Sequence, residues 1–308
     1  MFHQLFPTFL SIALLVGLGY VLGKLHQVDL KSIAHLLVYG IVPVVVSGAV
    51  AQLTFTPEVL LLPVVGFALC CVVGFISLWL GRRLVDDKLA VYLLPIAAGS
   101  GNTGFFGLPV ALALLGNDQV GIYMISYLGT VIFGDTIGYY YVARGNLTVN
   151  DALRRVARLP VLYGMAIGFV LSIMQIGLPA PLMKFWEVTK GAYICLGIML
   201  VGLALANQKH FKFDYQLIGV GLFGKFVMLP AIALLIIAFD KAFINFLSPI
   251  MAQCLMVVAL CPIAANTTAY AAQNDMPVQK AASLVMISTV LAVIALPFVL
   301  PILLSWVS

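Results

Sequence analysis

The sequence predicts an all-α polytopic membrane protein: ten transmembrane helices, arranged as two inverted five-helix repeats. Three observations carry this. Of 308 residues, 63% are hydrophobic and only 9% charged, where a soluble domain carries roughly 25% charged residues. The mean hydropathy is +1.13, and the apolar residues lie in blocks of about 20, the length that crosses a hydrocarbon core of roughly 30 Å. The basic residues fall in every other loop. Sixteen bases and eleven acids cannot cover a soluble surface of this size, which excludes a secreted enzyme, a nucleic-acid binder and a disordered chain.

Taken in order, the first apolar block runs from Leu5 to Gly23. It lacks a basic leader and outruns a signal-peptide core, so it reads as a span. The others lie near 33–51, 59–80, 89–115, 119–142, 159–177, 188–207, 215–238, 243–272 and 278–306. No gap between them holds a soluble domain. The stretch 143–158 is the longest, and it separates a first repeat, 1–142, from a second, 159–308. Twelve bases lie in one set of alternate loops: Lys24, Lys31, Arg82, Arg83, Lys88, Arg144, Arg154, Arg155, Arg158, Lys209, Lys212 and Lys280. Only Lys184, Lys190 and Lys241 lie in the other. Positive charge stays on the cytoplasmic side, so both termini are expected outside and 143–158 in the cytoplasm of a plasma membrane.

The halves resemble each other. Gly19-Tyr20-Val21-Leu22 has a counterpart in Gly168-Phe169-Val170-Leu171, and Asn117-Asp118 in Asn274-Asp275. Pro95-Ile96-Ala97-Ala98 and Pro262-Ile263-Ala264-Ala265 each precede an Asn-Thr pair. Five spans is an odd number, so the second repeat enters the membrane from the opposite side. Inverted repeats of this kind mark secondary transporters, whose sites lie at mid-membrane where broken helices meet.

The fourth and ninth spans are the broken ones. Leu89 to Pro109 holds four glycines and two prolines, and in a helix interior Gly costs about 1 kcal/mol and Pro about 3. The ninth span breaks at Pro262, before Asn266-Thr267-Thr268. Backbone freed at membrane depth survives only where protein buries it or where it lines a cavity. A half-helix starting after a break offers free N–H groups and a positive dipole end, a seat for a carboxylate. Asn102, Thr103, Gly104, Asn266, Thr267 and Thr268 are therefore candidate substrate-binding residues, neutral donors suited to an anion that must be released again. The alternative is a pair of kinked helices whose Asn and Thr only satisfy freed backbone. Gly99-Ser100-Gly101-Asn102-Thr103-Gly104 also fits a dinucleotide fingerprint, but it lacks the βαβ context that the fingerprint requires.

The run Gly101-Asn102-Thr103-Gly104-Phe105-Phe106-Gly107-Leu108-Pro109 resembles the motif of the auxin efflux carrier family. Asn274-Asp275-Met276-Pro277, Ser283 to Pro297, Pro43 and the Lys225/Pro230 pair are similar too. The resemblance implies ten helices with the fourth and ninth crossing at mid-membrane, the fold shared with bile-acid symporters and Na⁺/H⁺ antiporters. It implies Gly101, Gly107, Pro109 and Pro262 as crossover residues. It further implies an elevator-like cycle in a bacterial cytoplasmic membrane, carboxylate substrates such as malate, malonate, lactate or auxin-like acids, and pairing as a homodimer. A Na⁺-coupled symporter of the bile-acid type is the alternative; sodium sites need carboxylates, and the interrupted spans contain none.

Asp135 and Lys225 are the ionisable residues well inside spans. Each costs roughly 2.5–3.5 kcal/mol on insertion scales, which makes it a functional candidate by default. Asp135 is expected to carry a coupling H⁺ or Na⁺, and Lys225 to organise carbonyls near the crossover; a structural role is the alternative for each. Gly134/Gly138 and Gly164/Gly168 read as helix-packing pairs, and Tyr139-Tyr140-Tyr141 as an interfacial belt. The five cysteines and four histidines show neither disulfide nor ligand spacing, so no metal and no cofactor are expected. No nucleophile–base pair or metal motif of an intramembrane enzyme is present in the spans.

Overall fold

The computed structural model describes residues 2–26, 28–53, 60–115, 120–206 and 213–307. Among them all regular structure is helical, with no strand. The order is α1 (Phe2–Leu25), α2 (Leu30–Ala51), α3 (Leu61–Leu84), α4 (Leu94–Gly99), α5 (Leu108–Leu115), α6 (Val120–Phe133), α7 (Tyr139–Arg144), α8 (Val149–Ala157), α9 (Pro160–Ile173), α10 (Ala180–Ala206), α11 (Tyr215–Ile244), α12 (Pro249–Leu260), α13 (Asn266–Gln273) and α14 (Val278–Val307). Four helices of the described residues are long and apolar enough to cross a membrane: α2, α3, α11 and α14 to Leu300. The pair α8 and α9, bent by 42°, makes a fifth if counted as one span. Asn117-Asp118, Lys209 and Lys212 lie outside the described residues.

Several boundaries depart from the hydropathy pattern for local reasons. The stretch 143–158 is not a plain loop: Thr148 Oγ1 accepts from the Asp151 N–H at 3.3 Å and starts α8. The eighth span runs on to Ile244, because the buried Asp240 carboxylate accepts the N–H groups of Phe246 and Leu247 at 3.2 and 2.9 Å and so caps the turn that follows. Two π turns precede prolines. Leu36–Ile41 lies before Pro43, and Gly224–Met228 before Pro230. A proline has no N–H to give and its ring crowds the carbonyl four residues back, and a widened turn relieves both.

The helices pack in two groups. In the first, α1 lies on α10 and α9 on α2. Glycines allow this: a Cβ at Gly19 would run into the Met199 carbonyl and one at Gly202 into that of Val16. Gly164 and Gly168 likewise meet the carbonyls of Pro43 and Ser47, as a packing pair should. The second group holds α3, α4–α7 and α11–α14, around a core that includes Phe106, Tyr123, Val258 and Leu260. Tyr139 corrects the aromatic-belt expectation. It is fully buried, with its ring edge-on to Tyr270 at 4.9 Å, because α7 carries it inward against α13 rather than out to an interface.

Candidate functional site

The two breaks predicted from Gly and Pro come together in space. α4 ends at Gly99, and Ser100 is extended, with φ −100° and ψ 152°. α12 ends at Leu260 and Cys261 after it is extended in ψ, at 141°; Pro262 cannot continue the helical hydrogen bonding. Gly101 and Ile263 then pair antiparallel, and the Asn102 N–H donates to the Pro262 carbonyl at 2.7 Å. Ile263 N–H donates to Ser288 Oγ of α14 at 3.0 Å. Backbone groups that would be orphaned in an apolar interior thus satisfy each other, which is the condition for unwound chain at membrane depth.

The crossover leaves no room for side chains on its glycines. A Cβ at Gly101 would stand 2.9 Å from Lys225 Nζ and 3.2 Å from Cys261 Cβ. One at Gly107 would collide with the Tyr123 hydroxyl and the Cys261 sulfur. Tyr123 in turn donates to the Thr103 carbonyl at 2.8 Å. Pro109 falls in α5, and its side chain lies outside the described residues.

A cavity of about 420 Å³ opens above this crossing, between the two helix groups. Asn102, Thr103, Gly104, Asn266 and Asp135 line it together with Gly101. Around Gly104 the space is open, with nothing within 4 Å of a Cβ. Tyr193 donates to Asn266 Oδ1 at 2.9 Å, and Tyr270 donates to Asp135 Oδ1. Thr267 and Thr268 do not reach the cavity: both are fully buried in the first turn of α13, and neither hydroxyl has a hydrogen-bond partner among the described residues. Their N–H groups close that turn onto the carbonyls of Ala264 and Ala265, each at 3.0 Å. Lys225 is also absent from the lining. Its ammonium is fully buried, without a hydrogen-bond partner among the described residues, beside Gly101, where α4 and α12 have just ended.

Both charges expected inside spans occupy π turns, Asp135 in Gly134–Gly138 and Lys225 in Gly224–Met228. Such turns are frequent at functional sites. The first lets Gly134 approach Ser100 and Gly138 approach Ile96, which seats Asp135 beside the crossover. Sequence reasoning missed Tyr193, Tyr270, Trp186 and Lys190 as lining residues. The spacing of Asn266 and Tyr270, one helical turn, was the available signal for Tyr270.

Comparison with known proteins adds the class. The model of the sodium bile acid symporter family matches residues 193–307. An uncharacterized transporter of Methanothermobacter thermautotrophicus is 25% identical over 305 residues, 94% of this chain and 95% of that protein. Another, from Methanocaldococcus jannaschii, is 27% identical over 237 residues, 73% of this chain and 76% of the relative. This corrects the resemblance to auxin efflux carriers, since the matching family is the bile acid symporter family. The physical reason lies in the crossover. Glycines at 101 and 107 and an extended residue between two half-helices are what any close crossing demands, so that motif reports the geometry and not the substrate.

Proposed function

We propose that this chain is a secondary transporter of organic anions, a symporter of the bile-acid type. The observation that carries the reading is the buried pairing of Gly101 with Ile263, which floors a cavity lined from both helix groups. In this reading the frame is the ten-span plan, with repeats 1–142 and 159–308 joined by 143–158. The helix group of α1, α2, α9 and α10 stays fixed while the group bearing the crossover moves against it, in an elevator-like cycle. The positive ends of two half-helices, at Thr103 and at Asn266, meet the substrate's anion, and the amides of Asn102 and Asn266 orient it.

Carrying an anion into a cell that is negative inside costs about 2.3 kcal/mol per charge per 100 mV. A co-transported cation removes that cost. Asp135, the carboxylate of the cavity, takes the coupling H⁺ or Na⁺. Lys225 stands by the C-terminal ends of α4 and α12, where a cation offsets the negative ends of both dipoles. The match to a sodium symporter family over the second half supports coupling to Na⁺. The basic loops are the cytoplasmic ones under the positive-inside rule, with both termini outside in a plasma membrane.

Uptake of labelled taurocholate, malate and lactate into proteoliposomes tests this, under imposed voltage, pH and Na⁺ gradients, with Asn102→Ala as the control. Saturable flux that requires a cation gradient and falls at least tenfold in Asn102→Ala is the expected result, the loss of a hydrogen bond to a charged group being worth about 1.5–3 kcal/mol. Flux driven by voltage alone overturns symport. Flux indifferent to Asn102 overturns the site.

A further inference from the structure

The short helix α8, Val149–Ala157, presents three different sides. On the first, Ala152 is buried and Val156 packs beside it against the protein body. Arg155 lies on that side too, and donates to Asn274 Oδ1 at 2.8 Å. Round the helix, Val149, Leu153 and Ala157 follow one another at four-residue spacing. All three are exposed, the first two at 47% and 53%. Beyond them Asn150, Arg154 and Arg158 form a polar edge at the same spacing, again exposed. The acid of this helix, Asp151, accepts from Thr148 Oγ1 at 2.7 Å, and Arg154 stays 3.9 Å from it. Among the described residues no carboxylate lies within ion-pair distance of Arg158. An apolar edge beside a basic edge, both open, is the pattern of a helix at a membrane surface.

The depth of α8 follows from the helix after it. With α9 as a span, its fourteen residues reach about 21 Å at the α-helical rise, short of the roughly 30 Å hydrocarbon core. The start of α9 therefore lies at or below headgroup level, and α8, bent 42° from it, runs through the interface. Tyr163 marks the same level. It is largely exposed, and its hydroxyl turns back to donate to the Ala157 carbonyl at 2.8 Å, as aromatic residues at the interface do, with an apolar ring and a polar tip.

We infer that the outer side of α8 is a docking surface for anionic phospholipid. Acyl chains lie against Val149, Leu153 and Ala157, and Arg154 and Arg158 hold the headgroup phosphate. A guanidinium fork matches a phosphate with two parallel hydrogen bonds, and long side chains near the boundary reach up to headgroup level. Two aliphatic side chains and an alanine fall far short of the about 800 Å² per partner that a stable protein interface buries, which favours lipid over a second chain. The inference goes beyond the transport reading: it uses α9 as a span and nothing about what is carried. The lipid surface and the turn after α13, held by Arg155, then lie on different sides of one short helix.

Thermal unfolding of the purified full chain in detergent tests this, titrated with dioleoyl phosphatidylglycerol or dioleoyl phosphatidylcholine, with retained lipids counted by native mass spectrometry. Wild-type protein is expected to be stabilised by, and to retain, the anionic lipid in preference to the zwitterionic one. Each basic side chain near an anionic surface contributes about fivefold in affinity. The double variant Arg154→Gln, Arg158→Gln should therefore raise the half-saturating concentration of phosphatidylglycerol at least about tenfold and leave phosphatidylcholine unchanged. Arg154→Lys, Arg158→Lys should keep the preference, and Leu153→Asn should weaken both lipids. Arg82→Gln, Arg83→Gln, which removes equal charge from the end of α3, should change nothing. Equal effects of the two lipids on wild type, equal losses of both in the Gln variant, or an equal loss from the α3 variant would overturn the proposal. Glycerol phosphate producing the same shift would mean a phosphate site without a bilayer, and a dimer broken by Leu153→Asn would mean a protein interface; either overturns it. None of these results depends on uptake, so failure of the transport reading leaves this one standing and the reverse.

Discussion

Asp135 and Lys225 were conspicuous in the sequence as charges in apolar surroundings, but their different positions were not. Asp135 reaches the cavity and is held by the Tyr270 hydroxyl; Lys225 lies beneath the crossover, out of the cavity and without a hydrogen-bond partner among the described residues. Distinct outcomes follow. Replacing Asp135 by Asn should abolish the dependence of uptake on the H⁺ or Na⁺ gradient while leaving the fold intact, which gradient-swap experiments in proteoliposomes will read. Unchanged ion dependence would remove Asp135 from coupling. For Lys225→Met the apolar replacement relieves a buried unpaired charge, whose burial costs several kcal/mol. Thermal unfolding in detergent should therefore show no loss of stability, while uptake falls because the crossover loses its cation. A variant that is destabilised yet transports normally would reverse that assignment.

At the scale of elements, close approach decides more than hydropathy does. The Gly202 backbone touches α1 so closely that a Cβ would strike the Val16 carbonyl. Gly202→Val should cost about 1–3 kcal/mol as an overpacked contact. Gly219→Ala is the control: that exposed glycine has nothing within 4 Å of a Cβ, and helix propensity predicts a gain of about 1 kcal/mol. Denaturation midpoints of the two variants in the same detergent check both. The breaks at Gly101 and Pro262 were legible because Pro and Gly act through the local backbone. The π turn at Asp135 was not, because it depends on Gly134 and Gly138 meeting Ser100 and Ile96 across the fold.

Across the whole molecule, the loops that carry most of the basic residues meet at one face. Lys280 bridges Asp87 and Asp214 at 2.7 and 2.6 Å, Lys31 pairs with Asp275, and Asn146 Nδ2 donates to the Asn274 carbonyl at 2.9 Å. The lining residues of α2, Val42 to Val50, lie in the half of that helix away from that face. Burial works against the charge on Asp87, but the Lys280 ammonium and the N–H groups of Ala90 and Leu89 outweigh it, and its carboxyl titrates below the usual 3.8. The stability it contributes is complete above that usual value and is lost as pH falls through the lowered one. Wild type should then unfold at a higher temperature than Asp87→Asn near neutral pH, with the gap closing in acid. Lys31 and Asp275 join the two helix groups, so a Lys31→Cys, Asp275→Cys pair bridged by a reducible bifunctional thiol cross-linker should stop uptake, with recovery on reduction. Continued transport in the cross-linked protein would count against relative motion of the groups.

By itself the sequence determined that the chain is predominantly helical and apolar, and that it breaks near Gly101 and Pro262. Those properties are written in composition and in single residues such as Pro262, each acting over one or two turns. Only the tertiary structure decided that the two breaks pair with each other, that Asn102 and Asn266 share a cavity while Thr267 and Thr268 do not, and that Tyr139 lies inward. It also decided that Lys190, which the charge pattern assigns to a loop, faces the cavity from α10. Each of these depends on contacts between residues far apart in the chain, and a local pattern of hydropathy contains no term for them.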